Sequence, residues 1–162
     1  MIRITDQYFW NVVFILFFLS LLTMASIILH TEARMAYADL AVFDFVLITL
    51  ASFRITRLFV YDSMTKFFRE QFYDAKVVRN KVTLVKPATG PRRTLADLMS
   101  CPWCFGLWAT TCVVFFYLLT EYAYLPIIIL ALSSVVSMWQ IIANMIGFKA
   151  EQLKKDVEQE VL

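Results

Sequence analysis

Residues 8–29, YFWNVVFILFFLSLLTMASIIL, run without a single charged side chain. An α-helix rises about 1.5 Å per residue, so a segment of this length reaches across a hydrocarbon core about 30 Å thick. Its apolar run is longer than the roughly 7–15 residues of a signal peptide, and the following HTEARMAYADL offers no convincing cleavage site. The segment therefore predicts a retained transmembrane helix.

With 60% hydrophobic and 17% charged residues and three glycines, the 162-residue chain has too little polar surface for an ordinary soluble domain. Three further apolar blocks follow, at about 40–61, 103–120 and 126–146, each close to spanning length. The second carries Asp44 near one face and Arg54 and Arg57 near the other, where long arginine side chains snorkel to headgroups. Asp44 reads either as an outward-facing interfacial carboxylate or as a buried acid. Between the third and fourth blocks only EYAYL intervenes, which predicts a tight turn and makes those two spans antiparallel neighbours.

The expected fold class is an all-α membrane protein of four transmembrane helices, with a basic cytoplasmic loop that contains an amphipathic interfacial helix. Residues 1–148 form the membrane domain, residues 62–102 its loop, and residues 149–162 a charged helical tail. Of 15 Lys and Arg residues, Arg34 alone lies between the first and second spans and none between the third and fourth. The rest are Arg3, ten from Arg54 to Arg93, and Lys149, Lys154 and Lys155. Because cytoplasmic loops keep an excess of basic residues, both termini and the central loop are expected inside, in a bacterial cytoplasmic membrane.

From Arg54 to Asp97, ten basic residues face four acidic ones, Asp62, Glu70, Asp74 and Asp97. Such a loop is attracted to anionic inner-leaflet lipids. Positive-inside topology accounts for the same charges, so nucleic acid is not needed as a partner. In DSMTKFFREQFYDA, Met64, Phe67, Phe68, Phe72 and Ala75 recur at helical spacing around Lys66, Arg69, Glu70 and Asp74. This predicts an amphipathic helix, either in the interface or packed over the bundle's mouth. KVVRNKVTLVKPATGPRR fits a short hairpin or an extended arm. TLADLMS then reads as a helical turn or two, capped by Thr94 with Asp97 returning the bond. In the tail, Ala150, Leu153, Val157 and Val161 extend the fourth helix and offer a face for pairing with another chain.

Two constellations carry the candidate chemistry. Arg54, Arg57 and Tyr61 share one helix face, with Asp62, Asp97 or lipid phosphates as partners. Arg54, Arg57, Tyr61, Asp62, Phe67, Phe68, Arg69 and Phe72 are thus the candidate lipid or partner contacts. The second constellation is Cys101-Pro102-Trp103-Cys104, for which three readings compete. As a redox pair, Cys101 would be the nucleophile, its thiolate stabilised at a helix N-terminus, and Cys104 the resolving thiol. As a metal knuckle, the pair supplies half of a tetrahedral zinc or iron site that a second copy would complete. As structure, Ser100 or Cys101 caps a helix, Pro102 occupies its first turn, and Trp103 and Trp108 join the interfacial aromatic belt. Gly106 and Ala109 then let another helix approach closely. The structural reading ranks first because it needs no unseen partner; no cofactor is predicted, with zinc as the alternative.

LASFRITRLFVYD, a basic loop and LMSCPWCFGLW together resemble a family of small bacterial and phage integral membrane proteins of unknown function, one member of which is linked to sporulation. The resemblance covers about residues 47–145 and rests on Arg54, Arg57, Asp62, Cys101, Pro102, Trp103, Cys104, Gly106 and Trp108. It implies the fold and the importance of the two motifs, not a reaction. The expectation is a non-enzymatic membrane protein that assembles with itself or a partner, its arginine face and cysteine corner meeting at the cytoplasmic surface. A thiol redox protein is the alternative. A membrane-permeabilising phage protein is a third reading, one that lacks a polar stripe to line a pore.

Overall fold

A computed structural model describes residues 6–35, 37–78 and 81–160. Arg3, Arg79 and Val161, which entered the reading of charge and periodicity, lie outside the described residues. The chain forms α1 (Asp6–Glu32), α2 (Val42–Val60), α3 (Lys66–Glu70), an antiparallel hairpin of β1 (Asp74–Val78) and β2 (Lys81–Val85), α4 (Pro91–Ser100), α5 (Pro102–Leu119) and α6 (Tyr124–Glu160). Among the described residues, the regular elements other than this hairpin are all helical. Single 3₁₀ turns at Tyr37–Asp39, Ser63–Thr65 and Glu121–Ala123 bridge neighbouring helices.

Three helical stretches, Gln7–Glu32, Pro102–Leu119 and Glu121–Val157, are long and apolar enough to cross a membrane. Helix α2 has nineteen residues but carries Asp44, Arg54 and Arg57, which sets it apart from those three. It is nevertheless the centre of the bundle. Its Leu47, Ile48 and Ala51 are buried with Val113, Tyr117 and Leu118 of α5 and Ile127 and Ala131 of α6. Helices α5 and α6 both pack on α2 far more than on each other, so α2 rather than a direct α5–α6 seam holds the two together. Small residues decide this: Ala51 of α2 is 0% exposed and Ala131 of α6 is buried, which lets helix backbones approach closely where bulky side chains would hold them apart.

Helix α1 lies at the periphery, against α4 and α5. Most of its apolar surface is exposed, as are Ile129, Leu132, Val136 and Trp139 on α6. Polar contacts fix its N-terminal end: Gln7 Nε2 donates to Thr94 Oγ1 at 2.8 Å, and Thr94 Oγ1 donates to Asn11 Oδ1 at 3.2 Å. Thr94 is therefore not a helix cap. Helix α4 begins three residues earlier, at Pro91 after Gly90, whose φ of 102° only glycine adopts readily.

The loop helix is shorter than its apolar spacing predicts. Residues 63–70 are helical, but Phe72 lies in the turn beyond them and Ala75 already belongs to β1. Valines at 77, 78, 82 and 85 favour extended backbone, and pairing of Asp74 with Val85 through Val78 with Lys81 draws the chain out of the helix.

Candidate functional site

The cysteine corner is built where α4 stops and α5 starts. Ser100 closes α4, its Oγ donating to Ala96 O at 2.7 Å. Cys101 is extended, at φ −109° and ψ 106°, and Pro102 fills the first turn of α5, where its missing N–H leaves no bond unmade. The Cys104 N–H donates to Cys101 Sγ at 3.3 Å, so sulfur takes the capping role that a serine or aspartate oxygen usually fills. Both thiols are free. Hydrogen bonds from the Cys104 side chain and backbone hold the Cys101 thiol below its ordinary value of 9.0.

Cys101 and Cys104 line a cavity of about 570 Å³ between α1, α4 and α5, together with Asn11, Thr94 and Asp97 on its polar side and Phe18, Leu107 and Trp108 on its apolar side. Trp108 packs on Phe18 of α1 with ring centroids 4.6 Å apart, whereas Trp103 is 88% exposed. Asp97 is held by Lys86 Nζ at 2.7 Å and Arg93 Nε at 2.9 Å. Burial pushes its carboxyl up, but these bonds outweigh burial and leave it below the usual 3.8. Among the described residues no group of three or more His, Cys, Asp or Glu side chains is placed to hold a metal ion. Zinc or iron at Cys101 and Cys104 would need ligands from a second copy.

A lowered pKa means that Cys101 is a thiolate at lower pH than a free thiol. In a Cys112→Ala background, its alkylation by iodoacetamide is expected to reach half its maximal rate below pH 9.0, and Cys104→Ala is expected to move that midpoint upward. Stopped-time alkylation followed by mass spectrometry across pH checks both.

The arginine face lies on the other side of α5. Arg54 Nη1 pairs with Asp62 Oδ2 at 3.4 Å, and the Arg57 guanidinium sits over the Tyr61 ring at 6.0 Å. Asp97, the other expected carboxylate partner, is engaged by Lys86 and Arg93 instead. Arg57 and Tyr61 border a groove of about 600 Å³ whose α5 wall is Pro102, Trp103, Gly106 and Thr110. Gly106 faces Thr56 across it, and Ala109 is buried beside it. Pro102 and Trp103 of the cysteine corner thus share a groove with Arg57 and Tyr61, whereas the Cys101 and Cys104 side chains line the other cavity. At about 3.6 residues per turn, Trp103, Gly106 and Thr110 fall on one face of α5, and Cys104, Leu107 and Trp108 on another.

Residues 63–72 close the end of α2. Thr65 Oγ1 donates to Leu58 O at 2.5 Å, and Arg69 Nη1 donates to Val60 O and, at 3.3 Å, to Phe59 O. These bonds satisfy carbonyls that the helix leaves open at its C-terminus. Phe68 packs edge-on against Phe59 and Phe72, while Met64 and Phe67 stand exposed.

At the opposite end of the bundle, Asp44 is half-buried and bonded through both carboxylate oxygens. Its Oδ2 accepts the Ala41 N–H at 2.8 Å and its Oδ1 accepts the Tyr117 hydroxyl at 2.5 Å. Helix position was the available signal for the first bond, since an acid in the first turn commonly caps; the Tyr117 partner, 73 residues away, left none.

Residues 47–143 match a family described as "Protein of unknown function (DUF1360)". UPF0713 protein YngL of Bacillus subtilis (strain 168) is 29% identical over 89 residues, covering 55% of this chain and 68% of that protein. Sporulation protein YjcA of the same organism is 35% identical over 68 residues, covering 39% of this chain and 58% of that protein. No solved structure matches. The family match begins inside α2 and ends inside α6, so it takes in both constellations and leaves α1 outside.

Proposed function

The chain belongs to this DUF1360 family, and on that premise we propose that it is a four-span protein of the bacterial cytoplasmic membrane that works by assembly with itself or a membrane partner, without chemistry of its own. The sporulation name of one relative agrees with a role at a bacterial membrane. That α2 is the fourth span is supported by its seat between two helices of spanning length. Its charges lie near its ends, Asp44 bonded to Tyr117 and Arg54 to Asp62, leaving Phe45 to Phe53 uncharged.

The observation that carries assembly is the reach of α6. Its 37 residues rise about 55 Å, well beyond a hydrocarbon core of about 30 Å. Every residue from Met138 to Val157 is exposed, and Leu153 and Val157 put apolar side chains one turn apart on the projecting part. In nanodiscs the full chain is expected to be oligomeric by light scattering, and the double substitution Leu153→Glu with Val157→Glu to shift it toward monomer. A wild-type monomer in both nanodiscs and cross-linked membranes, with no partner captured, would remove the assembly reading. Intact cells treated with a membrane-impermeant maleimide are expected to leave Cys101 and Cys104 unlabelled. Rapid labelling of either overturns the inward orientation.

A second reading, a thiol redox protein, is favoured by the bond from Cys104 to Cys101 at the start of α5. It requires part of the population to be trapped as the Cys101–Cys104 disulfide when growing cells are quenched with acid and alkylated. A fully reduced pair under every growth condition excludes it.

A further inference from the structure

Arg57 forms no ion pair with any described residue, although it borders a built groove. The groove runs between α2 and α5, is open to the side, and has a volume of about 600 Å³, in the range of small-molecule sites. Its two ends differ chemically. Arg57, Tyr61 and the exposed Trp103 gather at the end nearest the basic loop, and Phe53, Thr56 and Gly106 line its deeper part. A cation with an aromatic hydroxyl at the headgroup end and a weakly polar, largely apolar channel behind it complement an amphiphile with an anionic head.

Ser52 supplies an independent observation. It lines the same groove, is 5% exposed, and its hydroxyl has no hydrogen-bond partner among the described residues. A buried hydroxyl left unpaired is unfavourable, and an occupant bearing an acceptor would relieve it. Five residues of helix separate Ser52 from Arg57, about 7.5 Å along the axis. Ser52 thus lies deeper along the groove than Arg57.

We propose that the groove between α2 and α5 binds one anionic phospholipid of the inner leaflet, its phosphate at Arg57 and Tyr61 and an acyl chain along Phe53, Thr56 and Gly106. Charge complementarity selects this occupant: among the described residues the groove is lined by a cation and no carboxylate. The absence of a side chain at Gly106 keeps the channel open. A Cβ there would already be in van der Waals contact with Thr56 Oγ1 at 3.5 Å, so a larger side chain presses toward Thr56 and narrows the channel. The choice of leaflet rests on the inward orientation proposed above; the binding itself does not.

The full chain is reconstituted into nanodiscs of phosphatidylglycerol and phosphatidylcholine with identical acyl chains, released into mild detergent, and weighed by native mass spectrometry. Wild type is expected to retain one phosphatidylglycerol in preference to phosphatidylcholine. Arg57→Gln is expected to reduce that retention about fivefold, and Arg57→Lys much less. Gly106→Leu, which keeps the charge and blocks the channel, is expected to reduce retention of both lipids, while Arg92→Gln, a charge loss outside the groove, matches wild type. Equal retention by Arg57→Gln and wild type, or no preference for the anionic lipid in wild type, overturns the proposal. So does finding a second protein chain cross-linked at Arg57 in place of lipid. Both nanodisc leaflets have the same composition, so the result is independent of orientation, which the maleimide experiment reads separately. Should Gly106→Leu fail to fold, the comparison of Arg57→Gln with Arg57→Lys still decides.

Discussion

Asp44→Ala is expected to lower the stability of the purified protein by about 2–4 kcal/mol, read as the loss of helical circular dichroism with increasing denaturant at fixed detergent. Two losses combine. Removing the carboxylate leaves the Ala41 N–H without its bond, and a lost helix cap costs about 1 kcal/mol. It also strands the hydroxyl of Tyr117, a residue 2% exposed, and an unsatisfied buried donor costs about 1–3 kcal/mol. Tyr117→Phe removes donor and demand together, so its effect is expected to be smaller, about 1 kcal/mol. On a Tyr117→Phe background, Asp44→Ala should cost only the cap. Equal effects of Asp44→Ala on both backgrounds would mean that the Asp44–Tyr117 bond does not join α2 to α5.

The second large effect is expected at Ala51. It is 0% exposed on the central helix, where α2 meets both neighbours. Ala51→Leu adds three carbons where no space exists, and overpacking of this kind costs about 1–3 kcal/mol by forcing backbones apart. Within a membrane the new apolar surface gains little in return, because lipid solvates a leucine as well as a protein interior does. The expected result is lower thermal stability in detergent and poorer recovery from membranes. By contrast, Leu132→Ala on the exposed face of α6 is expected to be nearly neutral. A tolerated Ala51→Leu would contradict the close approach of α2 to its neighbours.

Much of the secondary structure was legible along the chain. The uncharged block at residues 8–29, the proline after Cys101 and the short EYAYL turn each have local causes, and α1, α5 and α6 follow them closely. Cys101 as the cap of α5 was equally local, since Pro102 needs a first-turn position. The loop was harder. Apolar residues at helical spacing argued for a helix through Ala75, but hairpin pairing with residues 81–85 drew that residue into β1, and pairing between distant residues leaves no local periodicity. Thr94 looked like a cap because Asp97 follows it by three, yet Gly90 and Pro91 are stronger starting signals, and both threonine and aspartate found partners elsewhere.

The arginine and cysteine constellations show where local reading ends. Their residue types and helical faces were visible in the chain, including the Arg54 partner Asp62 eight positions on. Which cavity each faced was not, because that depends on which sides of α5 are taken by α2 and by α1 with α4.

The sequence by itself determined the elements of this protein: three helices apolar enough for a membrane, a charged fourth of similar length, and a basic segment between them. Tertiary structure alone decided that the charged helix is central, that Asp44 meets Tyr117, and that Arg57 and the cysteines occupy opposite sides of α5. The reason is physical. In water, an apolar stripe marks the face a helix buries, but α1 and α5 are apolar all round, and in the proposed membrane lipid would accept any of their faces. Small residues and a few polar bonds then choose the neighbours, and those choices are made between residues far apart in the chain.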